Sequence, residues 1–433
     1  MTVPPKTANK LAAARDLAAV LIFFLLVFFG ARAVMNAPFF QKERLTRREA
    51  SEDIAEFFAR IEKTRPVRPE SPAPAGYAAM RAGAEAAAAA RLDEFGRITV
   101  KDLAYILYRY GAAFGDGATR LLWQPPRKWK DPELKFPPFT VGADKGGFTI
   151  ARALNPSLAG AELLELNGVP FRNLISPVLE RVSGETARHR EYLFCRDQAF
   201  WWDFSRLFAG TPVLDVKFES PDGKVYTRKL ETVTAGEFRR LAARPGAPAA
   251  MFFSQKKIAW LTITEMPYSR SGRKGYDRFF REVKKLGIED LVLDARETAG
   301  GDPRSAEYLL SYLAGAPAAG PENAFSGTSR LLIGPGTASA GAYLAARFAE
   351  LKAGETLGAE TGGTPGHFGS PEEFKLPNSG IPYAVASRYY AAPAAAGRPA
   401  RPDAVITDTL LLAHKGDVQA FLLDRIAKVR AGK

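Results

Sequence analysis

The sequence predicts a mixed α+β and α/β protein, with an α/β core preceded by a helical region and a small, mostly β module. Three observations carry this. Helical spacing of apolar residues dominates from 48 to 114; alternating apolar residues with glycine turns replace it between 137 and 233; and strands alternate with helices from 257 onward, the rhythm of a parallel sheet. The chain has 433 residues, enough for two or three ordinary domains, and 46% apolar with 25% charged residues is a globular balance. The expected boundaries are a signal or transmembrane segment over 1–40, the helical region over 41–122, the β module over 123–235 and the α/β core over 236–433.

At the N-terminus, Lys6, Lys10 and Arg15 precede the charge-free run 17–30, and Ala31-Arg32-Ala33 follows it. This is the pattern of a secretory signal or signal anchor. Extended to Phe40 the segment is long enough to cross a bilayer, and anchor is the preferred reading. The bulk of the chain is then extracytoplasmic, membrane-anchored or secreted, and periplasmic in a Gram-negative source. The formal charge is +13, but Lys and Arg are spread along the chain and no nucleic-acid motif accompanies them, so nucleic acid is not an expected partner. Cys195 is the single cysteine, which excludes an intrachain disulfide. His189, His367 and His414 lie far apart, without ligand spacing, so neither a metal site nor a cofactor is expected.

In the helical region, 48–63 predicts a helix with Ser51 as its N-cap, 78–95 a second and 99–114 a third, which ends in the turn 115–122. In the β module, 137–154 reads as a hairpin and 159–166 as a strand before the turn signal Asn167-Gly168. Residues 174–184 read as a helix, and 211–233 as two strands around Pro221-Asp222-Gly223. Trp201, Trp202, Phe204 and Phe208 read as core more readily than as the floor of a groove. In the last part, strands are expected at 257–266, 288–296, 329–335 and 355–360. Helices are expected at 275–287, closed by Gly287, and at 304–315 and 338–351.

Functional loops of such a sheet lie at the carboxyl ends of its strands, which singles out 297–303 and 334–339. Ser339 sits at a strand-to-helix corner between small residues. A serine there is a helix cap or a nucleophile. Free N–H groups at the helix start, near Ala340, and at Gly300-Gly301 would supply an oxyanion hole for acyl transfer.

Three segments occur in a telling order: Asp294-Ala295-Arg296-Glu297-Thr298-Ala299-Gly300-Gly301, then Thr337-Ala338-Ser339, then Gly358-Ala359-Glu360-Thr361-Gly362-Gly363. Together they resemble the C-terminal-processing (tail-specific) serine peptidase family, which includes the tricorn core and the retinoid-binding-protein repeats. The resemblance implies a ClpP/crotonase-like peptidase core, a PDZ-like domain over the β module, Ser339 as nucleophile, and protein or peptide substrates, C-terminal tails among them. It also implies two alternative places for the general base, and neither holds one. Lysine-type members put it at the position of Thr364, tricorn-like members at that of Ala118. The family asparagine of the first loop is Thr298, and the glutamate after the nucleophile is Ala342. His367 is the nearest candidate base in sequence, with Glu360 and Asp116 behind it. The expectation is therefore an exported serine peptidase homologue with an active site incomplete by family standards. The alternative is a catalytically weakened homologue that binds peptides or a partner.

Overall fold

The computed structural model describes residues 42–68, 74–122, 134–144, 147–196, 198–208, 210–243, 248–313, 322–392, 398–406 and 417–432. The anchor expected over 1–40 and His414 fall outside them. Among the described residues no helix is long and apolar enough to cross a membrane.

The N-terminal unit runs β1 (Arg44–Thr46), α1 (Arg47–Thr64), α2 (Pro74–Ala89), β2 (Arg97–Thr99), α3 (Val100–Ala112) and β3 (Arg120–Leu121). The cap of α1 is Thr46, not Ser51. The Thr46 hydroxyl accepts from the Glu49 N–H while the Glu49 carboxylate accepts from the Thr46 N–H, a reciprocal pair that starts the helix five residues earlier than Ser51 would. Helix α2 stops at Ala89, short of the expected 95.

The β module follows: β4 (Lys135–Phe136), β5 (Phe139–Asp144), β6 (Gly147–Ala153), β7 (Glu162–Leu166), β8 (Val169–Pro170), α4 (Phe171–Leu179), α5 (Ala187–Arg196), α6 (Gln198–Ser205), β9 (Val213–Glu219), β10 (Val225–Glu231), β11 (Val233–Thr234) and α7 (Ala235–Ala242). Its sheet has the order β10-β9-β7-β6-β5. Asn167 and Gly168 turn β7 into β8 at φ 51° and 76°, the left-handed pair that a tight hairpin demands. Trp201, Phe204 and Phe208 are buried with Phe136, Phe171 and Phe194, so these aromatics are core. Cys195 is buried beside them, and burial pushes its thiol pKa up.

The last part holds β12 (Ala250–Phe253), β13 (Ile258–Thr262), α8 (Arg270–Lys285), β14 (Asp290–Asp294), α9 (Pro303–Leu310), β15 (Thr328–Ile333), α10 (Ala340–Glu350), β16 (Glu355–Gly358), β17 (His367–Lys375), β18 (Pro382–Tyr390), β19 (Ala404–Val405) and α11 (Val418–Arg430). The main sheet has the order β12-β13-β14-β15-β16-β19, antiparallel at β12 and parallel from β13 on. Central β14 is buried along its whole length, as a strand covered on both faces must be. Its residues alternate between two cores. Leu291 and Leu293 face the side holding Phe280, Leu309 and Leu344 of α8, α9 and α10; Val292 faces Leu422 and Ile426 of α11. Gly287, at φ 59°, closes α8 as expected.

One pairing crosses the sequence order. β17 and β18 form a hairpin that joins β3, not the main sheet. Leu376, Ile381, Tyr383 and Val385 of this hairpin segment complete the apolar core of α1, α2 and α3. The tie is polar as well as apolar: the fully buried carboxylate of Asp53 accepts from the Asn378 and Ser379 N–H groups, each at 2.9 Å.

Removing that carboxylate leaves two N–H donors unpaired. The Asp53→Ala protein is therefore expected to lose about 1–3 kcal/mol of stability, read as a lowered denaturation midpoint in urea. An unchanged midpoint would mean that Asp53 does not hold the hairpin.

Candidate active site

Three loops leave the carboxyl ends of β14, β15 and β16 and are bonded to one another. The Ala338 N–H donates to the Thr298 carbonyl (3.0 Å), the Gly363 N–H to the Thr337 carbonyl (3.0 Å) and the Gly362 N–H to the Gly334 carbonyl (3.3 Å). The buried Thr337 hydroxyl donates to the Ala295 carbonyl (2.7 Å) and accepts from the Gly334 N–H (2.9 Å). Thr298 ties its loop to the end of β13, its hydroxyl donating to the Ile263 carbonyl (2.5 Å).

Ser339 stands where these loops meet. It occupies the N-cap position of α10, yet its side chain makes no cap hydrogen bond. Its backbone is at φ 52°, ψ −125°, a region a non-glycine residue enters at a cost of about 1–3 kcal/mol. The residue is half-buried and carries a hydroxyl not spent on the helix. Such a strained strand-to-helix corner is how a serine oxygen is presented to a substrate.

The oxyanion candidates converge on it. A Cβ added to Gly300 would fall 2.9 Å from Ser339 Cβ and 3.0 Å from Ser339 Oγ, so the Gly300 backbone lies directly against the hydroxyl. In that loop the Ala299 N–H is spent on the Thr264 carbonyl and the Asp302 N–H on the Met266 carbonyl. Outside regular elements, the N–H groups of Gly300 and Gly301 donate to no backbone acceptor among the described residues. Ala340 is the first helical residue of α10, whose N–H has no partner within the helix. Gly363 closes the other side: its added Cβ would fall 2.8 Å from Ala338 Cα and 3.0 Å from Ser339 N.

At the two positions where the resemblance expects a base, the side chains make other contacts. Ala118 is buried, and its N–H and that of Thr119 donate to Asp116 Oδ1 at 2.9 and 2.5 Å. Asp116 is itself paired with Arg65 at 3.0 Å in a fully buried bridge. The Thr364 N–H donates to Glu185 Oε2; the Thr364 hydroxyl lies 2.9 Å from that oxygen and 2.6 Å from the Gly366 carbonyl, so its one proton is shared between two acceptors. Burial, the Asp116 charge adding to it, outweighs the two Thr364 bonds and pushes the Glu185 carboxyl up to about 7.

His367 opens β17, 2% exposed, with its ring stacked on Tyr390 at 5.2 Å. Its Nδ1 lies 3.1 Å from the Pro365 carbonyl, which as acceptor selects the Nδ1–H tautomer and leaves Nε2 an acceptor; Nε2 has no partner. Burial lowers its pKa and favours the neutral ring. The structure records no hydrogen bond between His367 and Ser339. Glu360 is drawn instead to Arg401, at 3.4 Å.

At 185–192 the sequence named only His189, as a histidine without ligand spacing, yet this segment at the start of α5 leans over all three loops. The Thr186 hydroxyl donates to the Gly362 carbonyl (2.8 Å), and His189 Cβ would lie 3.0 Å from a Cβ on Gly362. The Tyr192 ring packs on Gly336, and Arg196 pairs with Glu297 at 2.6 Å. Burial lowers the His189 pKa to about 4. A polar, charged stretch of this kind reads as a solvated helix face, so its only sequence signal was the presence of Glu185 and His189. Among the described residues no group of side chains could hold a metal ion.

Residues 257–396 match the model of peptidase family S41. Among solved structures the chain is similar to mature CPAF complexed with lactacystin, at 12% identity over 89% of this chain and 98% of that one, TM-score 0.59. Mature CPAF alone gives 12% identity over the same shares and a TM-score of 0.57. The photosystem II D1 C-terminal processing protease aligns over 84% of this chain and 94% of that one, at 15% identity and TM-score 0.43. No curated protein sequence matches this chain.

The approach of Gly300 to Ser339 is testable without any substrate. Gly300, at φ 139°, has no room for a side chain, so Gly300→Ala is expected to cost about 1–3 kcal/mol in thermal unfolding. Gly275, inside α8 with nothing within 4 Å of an added Cβ, is the control: Gly275→Ala is expected to stabilise by about 0.4–1 kcal/mol. Equal effects of the two would contradict the packing described.

Proposed function

We propose, from the match of residues 257–396 to peptidase family S41, that the protein is a serine peptidase acting on protein or peptide tails through Ser339. The observation that carries this reading is Ser339 itself, a hydroxyl at a strained corner that declines its cap bond and lies against the Gly300 backbone. In the reaction Ser339 Oγ attacks a peptide carbonyl. The N–H groups of Gly300 or Gly301 and of Ala340 receive the negative charge that develops on the carbonyl oxygen. The acyl-enzyme is then released by water.

The β module, read as PDZ-like, is the candidate docking site for the substrate chain, and α5 places it against the catalytic loops. The segment 1–40 is read as exporting the chain and anchoring it to the membrane, so that the peptidase works outside the cytoplasm. The active site is incomplete by family standards, with Ala118 and Thr364 where the two known kinds of base would stand. That same observation favours one second reading, a catalytically weakened protein that binds peptides without cleaving them. His367, with its free acceptor Nε2, is the proton acceptor that the sequence offers.

Full-length protein exposed to a fluorophosphonate probe and an unfolded protein substrate tests this directly. Labelling and cleavage are expected, and Ser339→Ala is expected to abolish labelling and lower turnover by about 10⁴-fold or more. Peptide binding without serine-dependent labelling would establish the second reading instead.

A further inference from the structure

We infer that Glu185 is the proton acceptor for Ser339, a carboxylate base brought in from the β module; this rests on the peptidase reading of Ser339. The two positions at which the resemblance expects a base both lead to this side chain. Thr364 donates its N–H to it and shares its hydroxyl proton between it and the Gly366 carbonyl. Asp116, whose carboxylate holds the Ala118 N–H, is close enough to act on it electrostatically. The residue before Thr364, Gly363, is packed against the Ser339 N–H, so the Glu185 carboxylate is held one residue from the nucleophile's own backbone contact.

Both bonds from Thr364 fall on Oε2. Oε1 holds no protein partner among the described residues and is not one of the sealed, unpaired polar atoms, so it remains open to water and to a proton. Titratable groups near Glu185 include Asp116 and, beside the adjoining Gly184, His189 and Arg190. Asp116, in the turn before β3, is paired with Arg65, and its charge still disfavours the ionised form of Glu185. His189, in the same segment as Glu185, is neutral near pH 7 because burial lowers its pKa to about 4. A carboxylate of ordinary pKa is a poor base for a serine, but one whose ionised form is destabilised by burial near pH 7 is a matched one.

In the first half-reaction, the Ser339 Oγ–H proton passes through one water to Glu185 Oε1 as the Oγ–carbonyl bond forms. When the tetrahedral intermediate collapses, the C–N bond breaks and the Glu185 proton goes to the departing amine. In the second half, Glu185 takes a proton from the attacking water and returns it to Ser339 Oγ as the acyl bond breaks. Atoms and charge balance without a metal or a second base.

The test is the pH profile of fluorophosphonate labelling in the full-length protein and in Glu185→Gln, His367→Ala, Thr364→Val and Ser339→Ala. The wild-type rate is expected to rise about tenfold per pH unit below pH 7 and to level off above it, since the base works only when ionised. Glu185→Gln keeps an oxygen for Thr364, so thermal unfolding should be nearly unchanged while labelling falls by about 10²-fold or more. Thr364→Val leaves the carboxylate in place with one bond fewer to its ionised form, and should move the inflection to higher pH. A merely structural role would not shift that inflection. Wild-type labelling by Glu185→Gln, or loss of labelling in His367→Ala alone, overturns the assignment and leaves Ser339 as nucleophile. Labelling of the wild type no greater than that of Ser339→Ala at every pH overturns the peptidase reading itself.

Discussion

The site depends on one backbone conformation, the left-handed corner at Ser339. Left to itself, a chain would relax it into an ordinary helix start with the serine side chain folded back as a cap. It is held open by bonds on both sides: Ala338 to Thr298 on one, Gly363 to Thr337 on the other, with the Thr337 hydroxyl locking the strand end beneath. Each of these contacts needs an approach that a side chain would block. The glycines at 300 and 363 are therefore spacers that bring three separately encoded loops within reach of one oxygen. The strain is local, and the surrounding sheet, helices and loops make relaxation costlier than the strain itself.

The β module takes part in this support. Through Thr186, His189, Tyr192 and Arg196, α5 and the residues before it rest on the loops at 362, 336 and 297. Any movement of the module relative to the sheet would be felt at the nucleophile through these contacts, without any change in Ser339's own neighbours along the chain. The β module and the corner at Ser339 are thus mechanically joined.

Much of the fold was legible because its signals are local. The alternation of strands and helices from 257, the Asn167-Gly168 turn and the Gly287 stop are each fixed by a few neighbouring residues, and each is found as expected. The strand-to-helix corner at Ser339 was legible for the same reason, since small residues flank it on both sides. Two kinds of feature were not. The start of α1 was misplaced because Thr46 with Glu49 offers a reciprocal cap that Ser51 cannot match. Glu185 was missed because nothing in a polar helix entry tells which loop it will meet; its meaning lies in Thr364, 179 positions away. His367 was singled out by nearness along the chain, and the structure gives its ring a stacking partner and a free nitrogen without a bond to the serine.

The hairpin of β17 and β18 has a bearing on how the chain is made. The N-terminal helices leave the ribosome first, yet Leu376, Ile381, Tyr383 and Val385, which finish their core, are synthesised some 260 residues or more after α3 ends. Until then Phe57 lacks the Tyr383 ring that packs on it, and Asp53 lacks the Asn378 and Ser379 N–H groups. Closing so long a loop is a slow, late event. The nascent helical segment must therefore wait for the α/β core to be built through and past Ser339. The N-terminal unit is thus finished only once the chain has been made through Val385.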